Sequence, residues 1–422
     1  MNKIFYFKDE NKYKRLYFFN FKLFKIKKYF SDKYIKNIIK NIELKHENYK
    51  PCQNEITPAP NNFVLETLQK LKSFYFLPNG GNLGDGLIAN SEFQIFNFYE
   101  DISYITKRDD YDKIQKHFNF IYGGGGLFVD IYKENLDKFF DIFKNKFLKQ
   151  CIILPSSFHN IPELFEIADE RFTIFCREKN SFNYLVNSKT KAKIYLSDDM
   201  AFATDIKFYT NSTFTVNQLN NLKENLQKMP LKQLKNIIYN MFFSYSSIYN
   251  RIKEILSVID KKSDVKTAYL LRTDSEKNIK DIFVNSFDLS VCGRITGRNS
   301  LDNAYIQITS ELFLSAVDCA DVIVTDRLHV GIAATLLNKE VFLFDNSYNK
   351  VSGVYEQSMK GLKNVHLLKD NDLKSIENII KRYNIKNTAN SNRLKNMNLN
   401  IEQFLTKYSA YKEFFACKQT TD

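Results

Sequence analysis

The stretch Asp321-Val-Ile-Val-Thr-Asp-Arg-Leu-His-Val-Gly-Ile-Ala-Ala-Thr335 decides the fold. Its first part is a short apolar run of the kind found in strands buried on both faces, as parallel sheets require. Its second part is rich in Ala and Leu and predicts a helix over His329–Leu337. Between them, Thr325-Asp-Arg-Leu-His329 places an acid, a guanidinium and an imidazole at a strand's carboxyl end and a helix's amino end. Ligands of open α/β sheets bind at that edge, and the helix end itself favours anions.

Outward from this stretch the same strand–turn–helix rhythm repeats. Toward the carboxyl terminus, a strand over Glu340–Phe344 leads into Asp345-Asn-Ser-Tyr-Asn-Lys350, and Asn364–Leu368 reads as a further strand. Toward the amino terminus come a strand over Thr267–Leu271 ending at Arg272, another over Asp288–Val291, and a helix over Ser310–Ala320. Earlier still, Ser73–Leu77, Phe118–Tyr122, Cys151–Leu154, Phe172–Phe175 and Lys193–Leu196 read as strands with helical stretches between them. Such alternation implies parallel sheets covered on both faces, so the fold class is α/β in two halves with a ligand cleft at the strand ends. Residues 205–265 break the rhythm and predict a helical connector or insertion. The expected organisation is a basic aromatic N-terminal extension and linker over 1–62, a first α/β domain over 63–204, the connector, a second α/β domain over 266–385, and a helical tail over 386–422.

Composition narrows the function classes. A chain of 422 residues with 44% hydrophobic and 26% charged residues forms a folded core, which excludes wholesale disorder. The net charge of +13 is local: residues 1–50 hold 14 Lys/Arg against 5 Asp/Glu, whereas the rest is nearly balanced. A globally basic nucleic-acid binder is not indicated, and no nucleic-acid partner is expected. The six cysteines form no C-x2-C pair and the five histidines show no H-E-x-x-H spacing, so neither a metal site nor a redox motif is expected. Sparse cysteines fit reduced thiols in a reducing compartment. No run approaches the ~18 apolar residues of a membrane-spanning helix. Residues 13–30 mix aromatics with lysine. Two readings fit them: a helical extension packed on the fold with its lysines in solvent, or a segment lying on an anionic membrane surface.

Eight of the 13 glycines fall in two clusters, Gly80, Gly81, Gly84 and Gly86, and Gly123 to Gly126, each after an apolar strand. Glycine at such turns lets backbone N–H groups approach an anion or a sugar. The spacing is neither G-x-G-x-x-G nor a Walker loop. Gly124, Gly125 and Asn82 are candidate substrate contacts. Asp85 is suited to accept a hydrogen bond from a hydroxyl, or to cap the following helix. Arg272, Arg327 and Lys350 bring positive charge to the cleft, and guanidinium groups grip carboxylate and phosphate in bidentate fashion.

Gly81-Asn-Leu-Gly-Asp85, Tyr122-Gly-Gly-Gly-Gly126, Ser197-Asp-Asp199, Thr325-Asp-Arg-Leu-His329 and Asp345-Asn-Ser-Tyr-Asn-Lys350 occur in this order. Together they resemble the polysaccharide pyruvyl transferase family over roughly residues 73–357. The resemblance implies two Rossmann-like domains facing across a cleft, as in GT-B glycosyltransferases. It implies transfer of the pyruvyl group of phosphoenolpyruvate onto two hydroxyls of a sugar, in a cell-surface polysaccharide or its precursor, as a cyclic ketal with release of phosphate. His329 would be the catalytic acid, and Arg272 and Arg327 would hold the donor's anionic groups. Phosphoenolpyruvate is then a substrate, and no cofactor is needed. The residue types suit this chemistry, because an imidazole can give a proton near neutral pH and a leaving phosphate needs preorganised positive charge. Asp85 would orient the acceptor hydroxyl or act as a base. A cytoplasmic protein, peripheral at the inner face of the membrane, fits a lipid-linked acceptor. Two other readings share part of the pattern: a GT-B glycosyltransferase using a nucleotide sugar, and a non-catalytic membrane-associated binding protein.

Overall fold

Short apolar runs flanked by turn residues become parallel strands in a computed structural model of the chain. It describes residues 5–10, 13–18, 21–27, 62–71, 73–96, 101–104, 117–204, 266–274, 286–295, 303–346 and 349–368, with isolated positions between. The N-terminal segment forms three antiparallel strands, β1 (Phe5–Glu10), β2 (Tyr13–Phe18) and β3 (Phe21–Lys27). This corrects the helical reading of the extension. Aromatic residues favour strands, and only two residues, Asn11-Lys12 and Phe19-Asn20, separate successive strands, the spacing of tight hairpins. This small sheet lies in a different compact unit from the remaining elements.

The second unit begins with α1 (Asn62–Gln69), β4 (Ser73–Leu77), the two-residue β5 (Gly81–Asn82) and α2 (Leu83–Phe96). There follow β6 (Asp101–Tyr104), β7 (Phe118–Tyr122), α3 (Lys133–Phe143), β8 (Leu148–Ser156), α4 (Glu163–Ile167), β9 (Phe172–Cys176), α5 (Lys179–Asn187) and β10 (Lys193–Leu196). The six longer strands form one parallel sheet in the order β10-β9-β8-β7-β4-β6. Phe120, Ile121, Ile153, Ile174 and Phe172 are fully or almost fully buried in its core. Among the described residues, Cys151, Cys176, Cys292 and Cys319 are buried and unpaired.

The second series comprises β11 (Thr267–Leu270), β12 (Arg294–Ile295), α6 (Asn303–Asp318), β13 (Val322–Thr325), α7 (Leu328–Leu336), β14 (Glu340–Leu343), α8 (Lys350–Val354) and β15 (Val365–Leu367). Its parallel sheet has the order β11-β13-β14-β15. The strand expected over Asp288–Val291 is instead a 3-10 turn, Leu289–Cys292, because the Asp288 carboxylate accepts the Ser290 N–H at 3.0 Å and starts a turn there. β12 pairs antiparallel with β5, joining the two series. The Ser310 hydroxyl of α6 donates to the Gly86 carbonyl of α2 at 3.1 Å. Arg251, Glu254 and Ser257 are helical, while the rest of the 205–265 connector, apart from Ile206, and all of the 386–422 tail lie outside the described residues. Among the described residues no helix is long and apolar enough to cross a membrane.

Candidate active site

Strand order positions the site. In the first sheet β4 has β6 on one side and β7 on the other, so the chain runs outward from β4 to β6 and then crosses back past β4 to β7, reversing the direction in which strands are added. A crevice opens at the carboxyl ends of strands where the order reverses in this way. The loops leaving β4 and β7 there are the two glycine clusters. The second sheet repeats the device. β11 has β13 on one side and, through a bridge from Tyr269, Ser286 on the other. The ends of β11 and β13 carry Arg272 and Asp326–His329.

His329 is the second residue of α7 and is brought against the first series by Gly84 of α2. A Cβ at Gly84 would lie 2.6 Å from His329 Nδ1 and 2.7 Å from its Cβ. His329 Nε2 lies 3.7 Å from Asp199 Oδ2 and 3.5 Å from Arg177 Nη1. Asp199 follows β10, is fully buried, and accepts the Ala201 N–H at 2.8 Å. Burial opposes its charge, but Arg177 and His329 outweigh burial and hold the carboxyl well below the usual range.

Arg177 follows β9 and is fully buried. Nε donates to Ser157 Oγ at 2.8 Å and Nη1 to Asp199 Oδ2 at 2.7 Å. Nη2 is buried and makes no hydrogen bond among the described residues. Unsatisfied buried donors of charged groups are costly and call for an explanation. The space over Gly126 supplies one: a Cβ there would lie 3.2 Å from Arg177 Nη2 and 3.8 Å from Lys350 Nζ. A guanidinium and an ammonium thus flank one small space, with His329 close to the guanidinium, which suits an anionic ligand group.

Arg272 and Arg327 form a second cationic pair. Arg327 grips Asp288 with Nε at 3.1 Å and Nη2 at 2.5 Å. Asp274 bridges the two arginines: Oδ1 lies 2.8 Å from Arg272 Nε, and Oδ2 lies 2.8 Å from Arg327 Nη2. Burial pushes the Asp274 carboxyl up, but the two guanidinium groups prevail and lower it. Arg272 also donates its backbone N–H to Asp326 Oδ1 at 2.8 Å. Burial raises Asp326 to about 6 against the pull of both arginines.

The Asn82 N–H donates to Asp85 Oδ2 at 2.8 Å, and Asn82 Oδ1 accepts the Gly84 N–H at 2.8 Å. Both side chains therefore cap α2, with Asp85 half-buried and near enough to Arg177 to strengthen its charge. In the second glycine cluster the Gly124 N–H is bound by Glu92 Oε1 at 2.6 Å and the Gly125 N–H by the Pro155 carbonyl at 3.2 Å. Gly125 has φ +148°, open to glycine alone at little cost. What Gly123 to Gly125 contribute is the close approach of Asn79, Pro155 and Glu92, not free N–H donors at Gly124 and Gly125.

The structure thus brings Lys350 and Arg177 Nη2 to one space over Gly126, with His329 Nε2 3.5 Å from Arg177 Nη1. It puts Arg272 and Arg327 in a neighbouring carboxylate-bridged pair, and Asn82 and Asp85 in a helix cap. Sequence reasoning did not single out Arg177, Glu178 or Asp199 as site residues. A signal existed: Arg177 and Glu178 directly follow the apolar run Phe172–Cys176, and Asp199 closes Ser197-Asp-Asp199 just beyond β10. The rule that drew attention to Arg272, a cation at the end of a strand, applies equally to Arg177.

No curated protein matches the chain significantly. A crystal structure of an uncharacterized protein from Klebsiella pneumoniae subsp. pneumoniae has a similar fold, with a TM-score of 0.52, 24% sequence identity, and coverage of 73% of this chain and 98% of that one. The family pattern described as polysaccharide pyruvyl transferase matches residues 82–348, a span that runs from the α2 cap through the crevice to the loop before Lys350, and the chain belongs to that family.

Proposed function

We propose that the protein transfers the pyruvyl group of phosphoenolpyruvate to two hydroxyls of a sugar, in a cell-surface polysaccharide or a lipid-linked precursor, forming a cyclic ketal and releasing phosphate. The observation that carries this reading is the unspent Nη2 of buried Arg177, facing the same small space as Lys350 and held close to His329. In this reading residues 63–204 and 266–385 are the two Rossmann-like domains of a GT-B-like enzyme. Arg177 and Lys350 hold one anionic group of the donor. Arg272 and Arg327 hold the other after Asp274 yields to it.

His329 gives a proton to the donor's methylene carbon, and a sugar hydroxyl attacks C2. The second hydroxyl then displaces phosphate. Of the two hydroxyl protons, one replaces that given by His329 and the other leaves with phosphate. Asp199 orients the imidazole, and the guanidinium and ammonium groups stabilise the departing phosphate. No cofactor enters the scheme. Calorimetric titration tests it. Phosphoenolpyruvate should bind the wild-type protein, and Arg177→Met and Arg327→Ala should each weaken binding at least about tenfold, a loss of about 1.4 kcal/mol. Binding of a uridine or guanosine diphosphate in place of phosphoenolpyruvate would move the reading to a nucleotide-sugar glycosyltransferase.

A further inference from the structure

A pocket of about 30 Å³ lies beside the anion space. Its polar lining is Ser157, His159, Glu178, Asn180, Asn349 and Lys350, and two apolar side chains complete the wall. Lys350 is common to both places, since its Nζ also flanks the space over Gly126. Glu178 is the buried part of the wall, only 4% exposed. One of its carboxyl oxygens takes the Ser181 hydroxyl, while Oε2 is buried and has no hydrogen-bond partner among the described residues. α8 closes over this side chain: a Cβ on Gly353 would lie 2.8 Å from Glu178 Cγ.

The occupant's chemistry follows from these facts. A volume of about 30 Å³ admits one or two water-sized groups, so a hydroxyl or hydroxymethyl enters and a whole ring or a base does not. An unpartnered carboxyl oxygen asks for a hydrogen-bond donor when ionised and for an acceptor when protonated; a hydroxyl, which both donates and accepts, serves either form, whereas a fully ionised phosphate or carboxylate serves only the second. Lys350 lines the same pocket and brings positive charge to it. Apolar contact beside a polar wall suits a sugar, whose C–H and O–H groups alternate.

We propose that this pocket is a hydroxyl subsite for the sugar acceptor, with Glu178 as the group that binds the hydroxyl and Lys350 shared with the donor. Only the naming of that hydroxyl as the acceptor's rests on the pyruvyl-transfer reading. Burial raises Glu178 to about 7, against the pull of Arg177, Ser181, Lys350 and Ser157, so both protonation states are accessible and a neutral hydroxyl can partner either.

The test uses the full chain and methyl β-D-galactopyranoside, which presents both a vicinal and a 1,3-diol. Saturation-transfer NMR reads glycoside binding, and calorimetry reads phosphoenolpyruvate binding. The wild type should give glycoside signals. Glu178→Leu and Asn180→Trp, the latter on the exposed wall, should each weaken glycoside binding about fivefold or more, with phosphoenolpyruvate held within about threefold of wild type. If Glu178→Leu does not fold, Asn180→Trp decides. Glycoside signals that persist in the variants overturn the proposal, as does their absence from the wild type, or loss of glycoside and donor together. If the glycoside binds through Glu178 and phosphoenolpyruvate does not bind at all, the pyruvyl-transfer reading falls and the hydroxyl subsite stands.

Discussion

Replacing Gly84 by alanine puts a methyl group into the contact that seats His329. The new Cβ would meet His329 Nδ1 at 2.6 Å, Cβ at 2.7 Å and Cγ at 2.9 Å. Because one of these atoms is the imidazole's own Cβ, a ring rotation cannot relieve the clash, and the amino end of α7 must shift. Overpacking of this kind costs about 1–3 kcal/mol. Alanine recovers at most about 1 kcal/mol of helix propensity, less in a first turn. The net expectation is a loss of about 1–2 kcal/mol, read as a fall of about 1–3 °C in melting temperature. The imidazole must also move away from Asp199 and Arg177. With five histidines in the chain the imidazole NMR spectrum is simple, and a His329→Ala variant assigns the relevant signals. In Gly84→Ala the His329 signals should shift while those of the histidines remote from α2 stay in place. An unchanged melting temperature together with unchanged His329 signals would refute the argument that Gly84 exists to seat His329.

Asp199→Asn leaves Arg177 charged and buried without its carboxylate, so unfolding measured in urea should show a loss of about 3–5 kcal/mol; a loss below about 1 kcal/mol would mean the pair is not held as described. The same carboxylate gives the wild type an acid limb. Its folded pKa is depressed, so its stabilisation is present above the free-carboxyl range and disappears as pH falls below about 4, and Asp199→Asn should lack that part of the acid limb. Asp326 has the opposite sign. Its carboxyl is raised to about 6, so ionising it in the fold costs stability that grows as pH rises from about 4 to about 6 and is complete above. Asp326→Asn should therefore gain on the wild type across that window, by about 3 kcal/mol at most, and a stability gap that stays flat from pH 4 to 8 would contradict the assignment.

The sheet strands were legible where their apolar runs are continuous. Ser73–Leu77, Phe118–Tyr122 and Lys193–Leu196 are found at the bounds their sequence suggests. β6 was not, because Asp101-Ile-Ser-Tyr104 is a four-residue edge strand with one aliphatic side chain. The Asp288 turn resembles a strand in sequence because its apolar neighbours Leu289 and Val291 alternate, while the carboxylate that bends the chain looks like any polar residue. In the N-terminal segment the lysines suggested a helical face, yet Phe and Tyr occupy so many positions that strand pairing prevails. For the site, local motifs pointed to His329, Arg327 and Lys350. Arg177 and Glu178 stayed hidden because their meaning is not local: it lies in what they lack, a partner for one buried guanidinium nitrogen and one buried carboxyl oxygen. Such a deficit becomes visible only once Asp199, Ser157, Gly126 and Lys350 have been brought together from four separate segments of the chain.

The most direct test of the central claim is a crystal structure of the full chain soaked with phosphoenolpyruvate. The account predicts an anionic group of the donor over Gly126, within hydrogen-bond distance of Arg177 Nη2 and Lys350 Nζ, with the methylene carbon turned toward the His329 imidazole. Donor density that leaves Arg177 Nη2 unpartnered, or that places the methylene carbon away from His329, would contradict it.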